Sequence, residues 1–270
     1  MRDSLAVDRW MLLAVAALLA LGLTMVLSTS YLYSQERYAD GTYFFRKQMI
    51  AMGIGALLLI VCSLLPAAFY RRFAYPLLGI SFIILVLVLI PGVGAARGGA
   101  RRWIMFAGFA FQPSELAKLA LIVYLAHSMA KKESMIRTFS VGVLPHLIVA
   151  GAFAGVLFLE PDFGSVLILT MLVYFMLFIG GVRVYHLLAT GLMALPLLIY
   201  VMMKAEYRLR RLLSFLDPWS DAAGSGFHVI QSLIAFGSGQ LTGRGLGESR
   251  QKLFYLPEAH TDFVYSVIGE

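Results

Sequence analysis

The residues with chemical potential gather toward the end of this chain. Arg208, Arg210, Arg211, Arg244, Arg250 and Lys252 lead to Leu256-Pro257-Glu258-Ala259-His260-Thr261-Asp262-Phe263. There Asp262 stands just before a short apolar stretch, residues 263–269. A carboxylate at the edge of an apolar run costs free energy unless it is paired, hydrated or put to use. A long basic segment at a bilayer surface, closed by such an acid, suits an anionic lipid substrate. Glu258 and His260 are neighbouring candidates, each more often a hydrogen-bonded loop residue than a catalyst.

Three earlier constellations have both a functional and a plain reading. Arg97-Gly98-Gly99-Ala100-Arg101-Arg102-Trp103 combines glycines, whose amides can approach an anion, with arginines that fork onto phosphate oxygens. Interfacial Trp103 with flanking snorkelling arginines is the alternative. Glu115 and Lys118 are three residues apart at a helix start, so they share a face. Each would cost ~2.5–3.5 kcal/mol alone at mid-membrane, so they pair or face a wet cavity in the bundle. In Glu160-Pro161-Asp162-Phe163-Gly164, Asp162 reads as the cap of the following helix, with a cavity role second. Gly243-Arg244-Gly245-Leu246-Gly247 follows no strand, so turn glycines explain it better than a phosphate loop.

Other chemistries fit poorly. His127, His146, His186, His228 and His260 are scattered and no His-Glu-x-x-His occurs, which argues against zinc. Ser238 lies in Phe-Gly-Ser-Gly without a nucleophile-elbow pattern, and no Walker-type phosphate loop is present. Cys62, the single cysteine, excludes an internal disulfide and reads as a packed thiol.

These residues need elements to position them. The chain is 60% hydrophobic and only 14% charged, with a mean hydropathy of +0.82, which marks a polytopic membrane protein. Its net charge of +7 is compatible with anchoring to anionic headgroups. Apolar runs cover residues 10–27, 48–65, 73–90, 114–129, 142–159, 164–181 and 186–203, which predicts seven spans and the start of an eighth. None alternates as barrel strands do, so the expected fold is all-α, a transmembrane helical bundle. One domain is expected over 1–270, with a large loop at 204–262 that contains a short helix near residues 228–236. Residues 1–9 lack a cleavable pattern, so the first helix is expected to be retained. Lys and Arg fall on both sides and leave the orientation open.

The run from Tyr255 to Phe263, with Gln231-Ser232 and Gly237-Ser238-Gly239, closely resembles the FtsW/RodA (SEDS) family. Arg102-Trp103-Ile104, Gln112-Pro113-Ser114-Glu115-Leu116-Ala117-Lys118 and Glu160-Pro161-Asp162-Phe163-Gly164 match in order, and Pro-Glu-Ala-His-Thr-Asp leans toward the division branch. Members are membrane glycosyltransferases that polymerise lipid II into glycan strands. The resemblance implies a bacterial inner-membrane protein at the division site. It implies a cytoplasmic N-terminus, an extracytoplasmic large loop, and a class B penicillin-binding protein among divisome membrane partners, with no nucleic acid. Members usually have about ten spans, so the chain resembles a C-terminally truncated one.

On that basis Asp262 is expected to be the general base on an acceptor sugar hydroxyl. The diphosphate of lipid II is already a good leaving group, so no paired acid is required. Arg102, Arg208, Arg211, Arg244 and Lys252 are candidate diphosphate clamps. Trp103 and His260 are candidate substrate contacts, and Glu115–Lys118 would shape the cavity. A divalent cation could assist, although the sequence offers no clear ligand set. A lipid II flippase and a noncatalytic divisome scaffold are the competing readings.

Overall fold

The computed structural model describes residues 8–97, 100–106, 109–240, 242–245, 248–249 and 261–270. All seven expected spans are helical. They are α1 (Arg9–Tyr38), α2 (Tyr43–Leu64), α3 (Ala67–Val88), α4 (Pro113–Lys131), α5 (Leu144–Leu159), α6 (Phe163–Ile179) and α7 (Val184–Lys204). The large loop carries α8 (Glu206–Leu216) and α9 (Phe227–Gly239), and the start of the eighth span is α10 (Val264–Gly269). Five helical segments are long and apolar enough to cross a bilayer, namely α1, α2, α3, α7 and Phe139–Leu159, which joins a π turn to α5. The chain is a multi-pass membrane protein.

Helix ends follow local chemistry. Asp8 starts α1 by accepting from the Trp10 and Met11 amides at 3.0 and 3.2 Å. Pro113 opens α4 at a position where no amide hydrogen is needed. Apolar run length underestimates α1, which continues past residue 27 to Tyr38 through a polar stretch that buries Thr29, Ser30 and Ser34. With no glycine or proline in residues 28–38 to break it, the helix outruns the hydrocarbon, and the connection to α2 shrinks to residues 39–42.

Contacts divide the chain into two compact units, residues 1–62 with 199–270, and residues 63–198. In the second, α4 packs against α3 and α6, and α5 against α6. Leu85, Leu121, Leu125, Leu157, Leu169 and Leu177 are fully buried there. Ala117 and Ala120 on α4 are also buried, and their small side chains allow the close helix approach that association in lipid requires. In the first unit Met25 of α1 and Val267 of α10 are buried together with Phe263 and Val264 against them.

One expectation is corrected. Cys62 is exposed, not packed, on α2, a helix with no buried residue. An apolar run in a membrane chain can face lipid on every side, so hydrophobicity alone does not predict packing. The helical-bundle fold holds, and the third loop adds a short three-stranded antiparallel ribbon, β1 (Ala95–Arg97), β2 (Ala100–Phe106) and β3 (Phe109–Phe111). It pairs Ala96 with Arg101 and Met105 with Ala110.

The turn between α5 and α6 buries a carboxylate. Glu160 is 1% exposed, and both carboxyl oxygens lack a hydrogen-bond partner. Burial, aided by the neighbouring Asp162 and opposed by Arg102, pushes its pKa from 4.5 to about 7. A raised carboxyl pKa penalises the folded state once the group ionises. The penalty is absent below pH 4.5, grows as pH rises toward 7 and is complete above it. Glu160→Gln is therefore expected to raise the unfolding free energy over wild type by ~3 kcal/mol or less at pH 8 but not at pH 4.5. Unfolding in detergent at the two pH values checks this, and an equal difference at both would refute it.

Candidate functional site

Asp162 holds a polar cluster at one end of the second unit. It caps α6 by accepting from the Ser165 amide at 3.2 Å, and also accepts from the Ser165 hydroxyl at 2.7 Å. Gln112, just before α4, donates to it at 3.2 Å, and the Arg102 guanidinium lies 3.5 Å away. Ser165 also reaches the Ser114 hydroxyl at 3.4 Å. The third-loop ribbon, the start of α4 and the α5–α6 turn are thus tied at one carboxylate. Strand alternation turns Arg102 toward this cluster while Arg101 is exposed and Trp103 is half-buried on the opposite face. Arg102 keeps one buried nitrogen, Nε, without a hydrogen-bond partner.

Glu115 and Lys118 form the expected i,i+3 pair at 2.8 Å. Glu115 is 60% exposed and Lys118 only 18%, so the carboxylate faces outward while the ammonium is tucked in. An exposed pair of this kind is worth ~0.2–1 kcal/mol. The plain structural pairing is therefore satisfied.

In the first unit Asp262 is exposed, immediately before Phe263 and α10. Its position depends on α9. The Ser232 and Ser266 hydroxyls meet at 2.6 Å, and the His228 ring stacks on Phe263 with centroids 5.5 Å apart. A Cβ on Gly239 would collide with the Gly269 carbonyl, and one on Gly269 with the Phe236 ring. The Gln-Ser and Gly-Ser-Gly motifs therefore work as a close-packed brace for the segment bearing Asp262.

Arg244 is also held in place. Its Nε donates to the Ser238 carbonyl at 3.3 Å, and its guanidinium lies 3.9 Å from the Glu270 carboxylate. Glu270 is buried and accepts from the Ser238 and Ser249 hydroxyls at 3.2 and 2.5 Å. Gly243 and Gly245 have φ of 71° and 107°, so they serve as turn residues. Arg208 donates to the Val201 carbonyl at 2.9 Å and lies over the Tyr207 ring, while Arg211 is exposed on α8. Among the described residues no ion pair joins Asp262 to Arg208, Arg211 or Arg244. Arg102, Trp103, Glu115 and Lys118 belong to the other unit. Arg250, Lys252, Glu258 and His260 lie outside the described residues.

The sequence reading missed two partners, Asp162 for Arg102 and Glu270 for Arg244. The available signal was an acid placed next to an apolar run in each case. Among the described residues no cluster of three or more His, Cys, Asp or Glu is placed to hold a metal ion.

A family model described as a cell cycle protein, FTSW_RODA_SPOVE, matches residues 9–270. A relative from Trichlorobacter lovleyi named probable peptidoglycan glycosyltransferase FtsW is 46% identical over 263 residues, 97% of this chain and 69% of the relative. Stage V sporulation protein E of Bacillus subtilis is 39% identical over 264 residues, covering 97% of this chain and 72% of its own. The crystal structure of Thermus thermophilus rod shape determining protein RodA is 34% identical, with a TM-score of 0.59 over 72% of this chain and 60% of that one. A structure described as the structural coordination of polymerization and crosslinking by a peptidoglycan synthase complex matches at 33% identity and TM-score 0.65, over 93% of this chain and 69% of that one. With residues 9–270 matched by the family model and a relative 46% identical over 97% of the chain, the chain belongs to the FtsW/RodA/SpoVE family of cell cycle proteins.

Proposed function

We propose that this chain is the catalytic membrane portion of a peptidoglycan glycosyltransferase that polymerises lipid II during cell division, in the bacterial inner membrane. The observation that carries this reading is the exposed Asp262 braced by α9, in a chain 46% identical to a relative named for that activity. In the reaction the acceptor sugar hydroxyl attacks the anomeric carbon of the donor. A new glycosidic C–O bond forms as the C–O bond to the diphosphate breaks. Asp262 takes the hydroxyl proton, and the polyprenyl diphosphate leaves with the bonding electron pair.

Developing negative charge on the diphosphate calls for fixed cations. Arg102, oriented by Asp162, and Arg244, oriented by Glu270 and Ser238, are suited to this because their positions are set before substrate arrives. Arg208 and Arg211 raise the positive potential at the base of the large loop. Lys252, His260, Trp103 and the Glu115–Lys118 pair remain candidate substrate contacts. Cross-linking by a class B penicillin-binding protein, with other divisome membrane proteins, completes the proposal. The likeness to a structure described by both polymerization and crosslinking supports that partner.

Three measurements check the reading on full-length protein with purified lipid II. Asp262→Asn should lower polymerisation by about 10²-fold or more, since the amide cannot accept the proton. Wild-type rates would remove Asp262 from the mechanism, and lipid scrambling without polymer would favour transport. Asp162→Asn keeps a helix cap but loses the charge opposite Arg102, so KM for lipid II should rise several-fold with a smaller change in kcat. An unchanged KM would separate Arg102 from substrate. Gly239→Val should lower both the melting midpoint, by ~1–3 kcal/mol, and polymerisation, by displacing α10. Wild-type stability and rate would refute the brace.

A further inference from the structure

The helix α8 is turned the wrong way round for a soluble surface. Leu209, Leu212, Leu213 and Leu216 recur at i, i+3, i+4 and i+7, forming one apolar stripe. Leu213 is 52% and Leu216 71% exposed, and the neighbouring Phe215 is exposed as well. On the other side the one buried residue of the helix, Ser214, packs on protein. Ser214 is buried and its hydroxyl meets that of Ser225, while Asp221 accepts from the Ser225 amide and hydroxyl at 2.8 Å each. A helix that satisfies its hydroxyl inward and leaves leucines outward needs an apolar medium on its outer side.

Placement and charge identify that medium. Only Ala205 separates α8 from α7, one of the helices able to cross a bilayer, and the Arg208 guanidinium is bonded back to the Val201 carbonyl on α7. α8 therefore starts at the end of a span, where headgroups lie. Interfacial aromatics surround it: Tyr207 and Trp219 are exposed, and the Lys204 ammonium lies 5.9 Å over the Tyr200 ring. Within residues 204–216 the cations Lys204, Arg208, Arg210 and Arg211 are accompanied by one acid, Glu206, paired with Arg210, which also lies near Asp221.

We propose that α8 lies in the membrane interface, with its leucine stripe in the acyl boundary and Arg211 against the phosphates of anionic phospholipids. Basic amphipathic helices bind such surfaces by apolar burial plus ~1 kcal/mol per cation near the headgroups. The occupant is a phospholipid leaflet, not a protein segment. The helix anchors the base of the large loop to that leaflet. This assignment is independent of the catalytic reading, and its test contains no substrate.

The test uses full-length protein in liposomes, with Leu216→Trp as sole reporter once Trp10, Trp103, Trp219 and every tryptophan outside residues 1–270 are replaced by Phe. Vesicles of phosphatidylcholine, with or without phosphatidylglycerol, carry brominated phosphatidylcholine in the membrane or iodide in the water. With phosphatidylglycerol present, bromolipid should quench the reporter several-fold more than iodide does. Adding Arg211→Gln should weaken the gain that phosphatidylglycerol brings. Quenching by iodide alone would place the stripe in water, and quenching by neither would place it under protein; either overturns the proposal. Equal bromolipid quenching with and without phosphatidylglycerol would overturn headgroup recognition. If the combined variant does not reconstitute, Leu216→Cys with Cys62→Ser carries a bimane label through the same comparison, with the same deciding outcomes.

Discussion

The approach of α9 to α10 is the constraint on which the first unit depends. Ser232 and Ser266 share a hydrogen bond where glycines let the two backbones come together. In a membrane chain, hydroxyl pairs and small residues replace the hydrophobic driving force that water would supply. Asp262 rides on that contact one residue before Phe263, whose ring is stacked by His228. An acid on a short helix would otherwise wander with the helix. Here the position of one acid rests on the packing of Ser232, Ser266, Gly239, Gly269, His228 and Phe263.

The second unit uses the same logic with charge. Asp162 gathers the Ser165 amide and hydroxyl, the Gln112 carboxamide and the Arg102 guanidinium from three elements. The neighbouring Glu160 carboxyl has no hydrogen-bond partner, and burial raises its pKa. Arg102 and Arg244 follow a common pattern. Each is a loop arginine positioned by a buried acid, partly committed and partly available.

The spans were legible because a bilayer demands long apolar helices, and each of the seven runs is helical, five of them in segments long and apolar enough to cross. The α9 helix and the start of α10 were also anticipated, as was the capping role of Asp162. What escaped was set by tertiary partners. The extension of α1 to Tyr38 and the exposure of Cys62 depend on whether a face meets protein or lipid, which hydrophobicity cannot distinguish. The ribbon of the third loop lies in a glycine-rich stretch with too short an alternation to stand out. Arg102 and Arg244 were read as available cations because pairing between distant residues leaves no local spacing to detect.

The length of α6 carries one more consequence. Its 17 residues span about 25 Å, against ~30 Å of hydrocarbon in an ordinary bilayer. A helix this short pulls the adjoining leaflets together, at fractions of a kcal/mol per ångström. Its first turn, capped by Asp162 with Arg102 beside it, is the end that such thinning would bring nearest the headgroups.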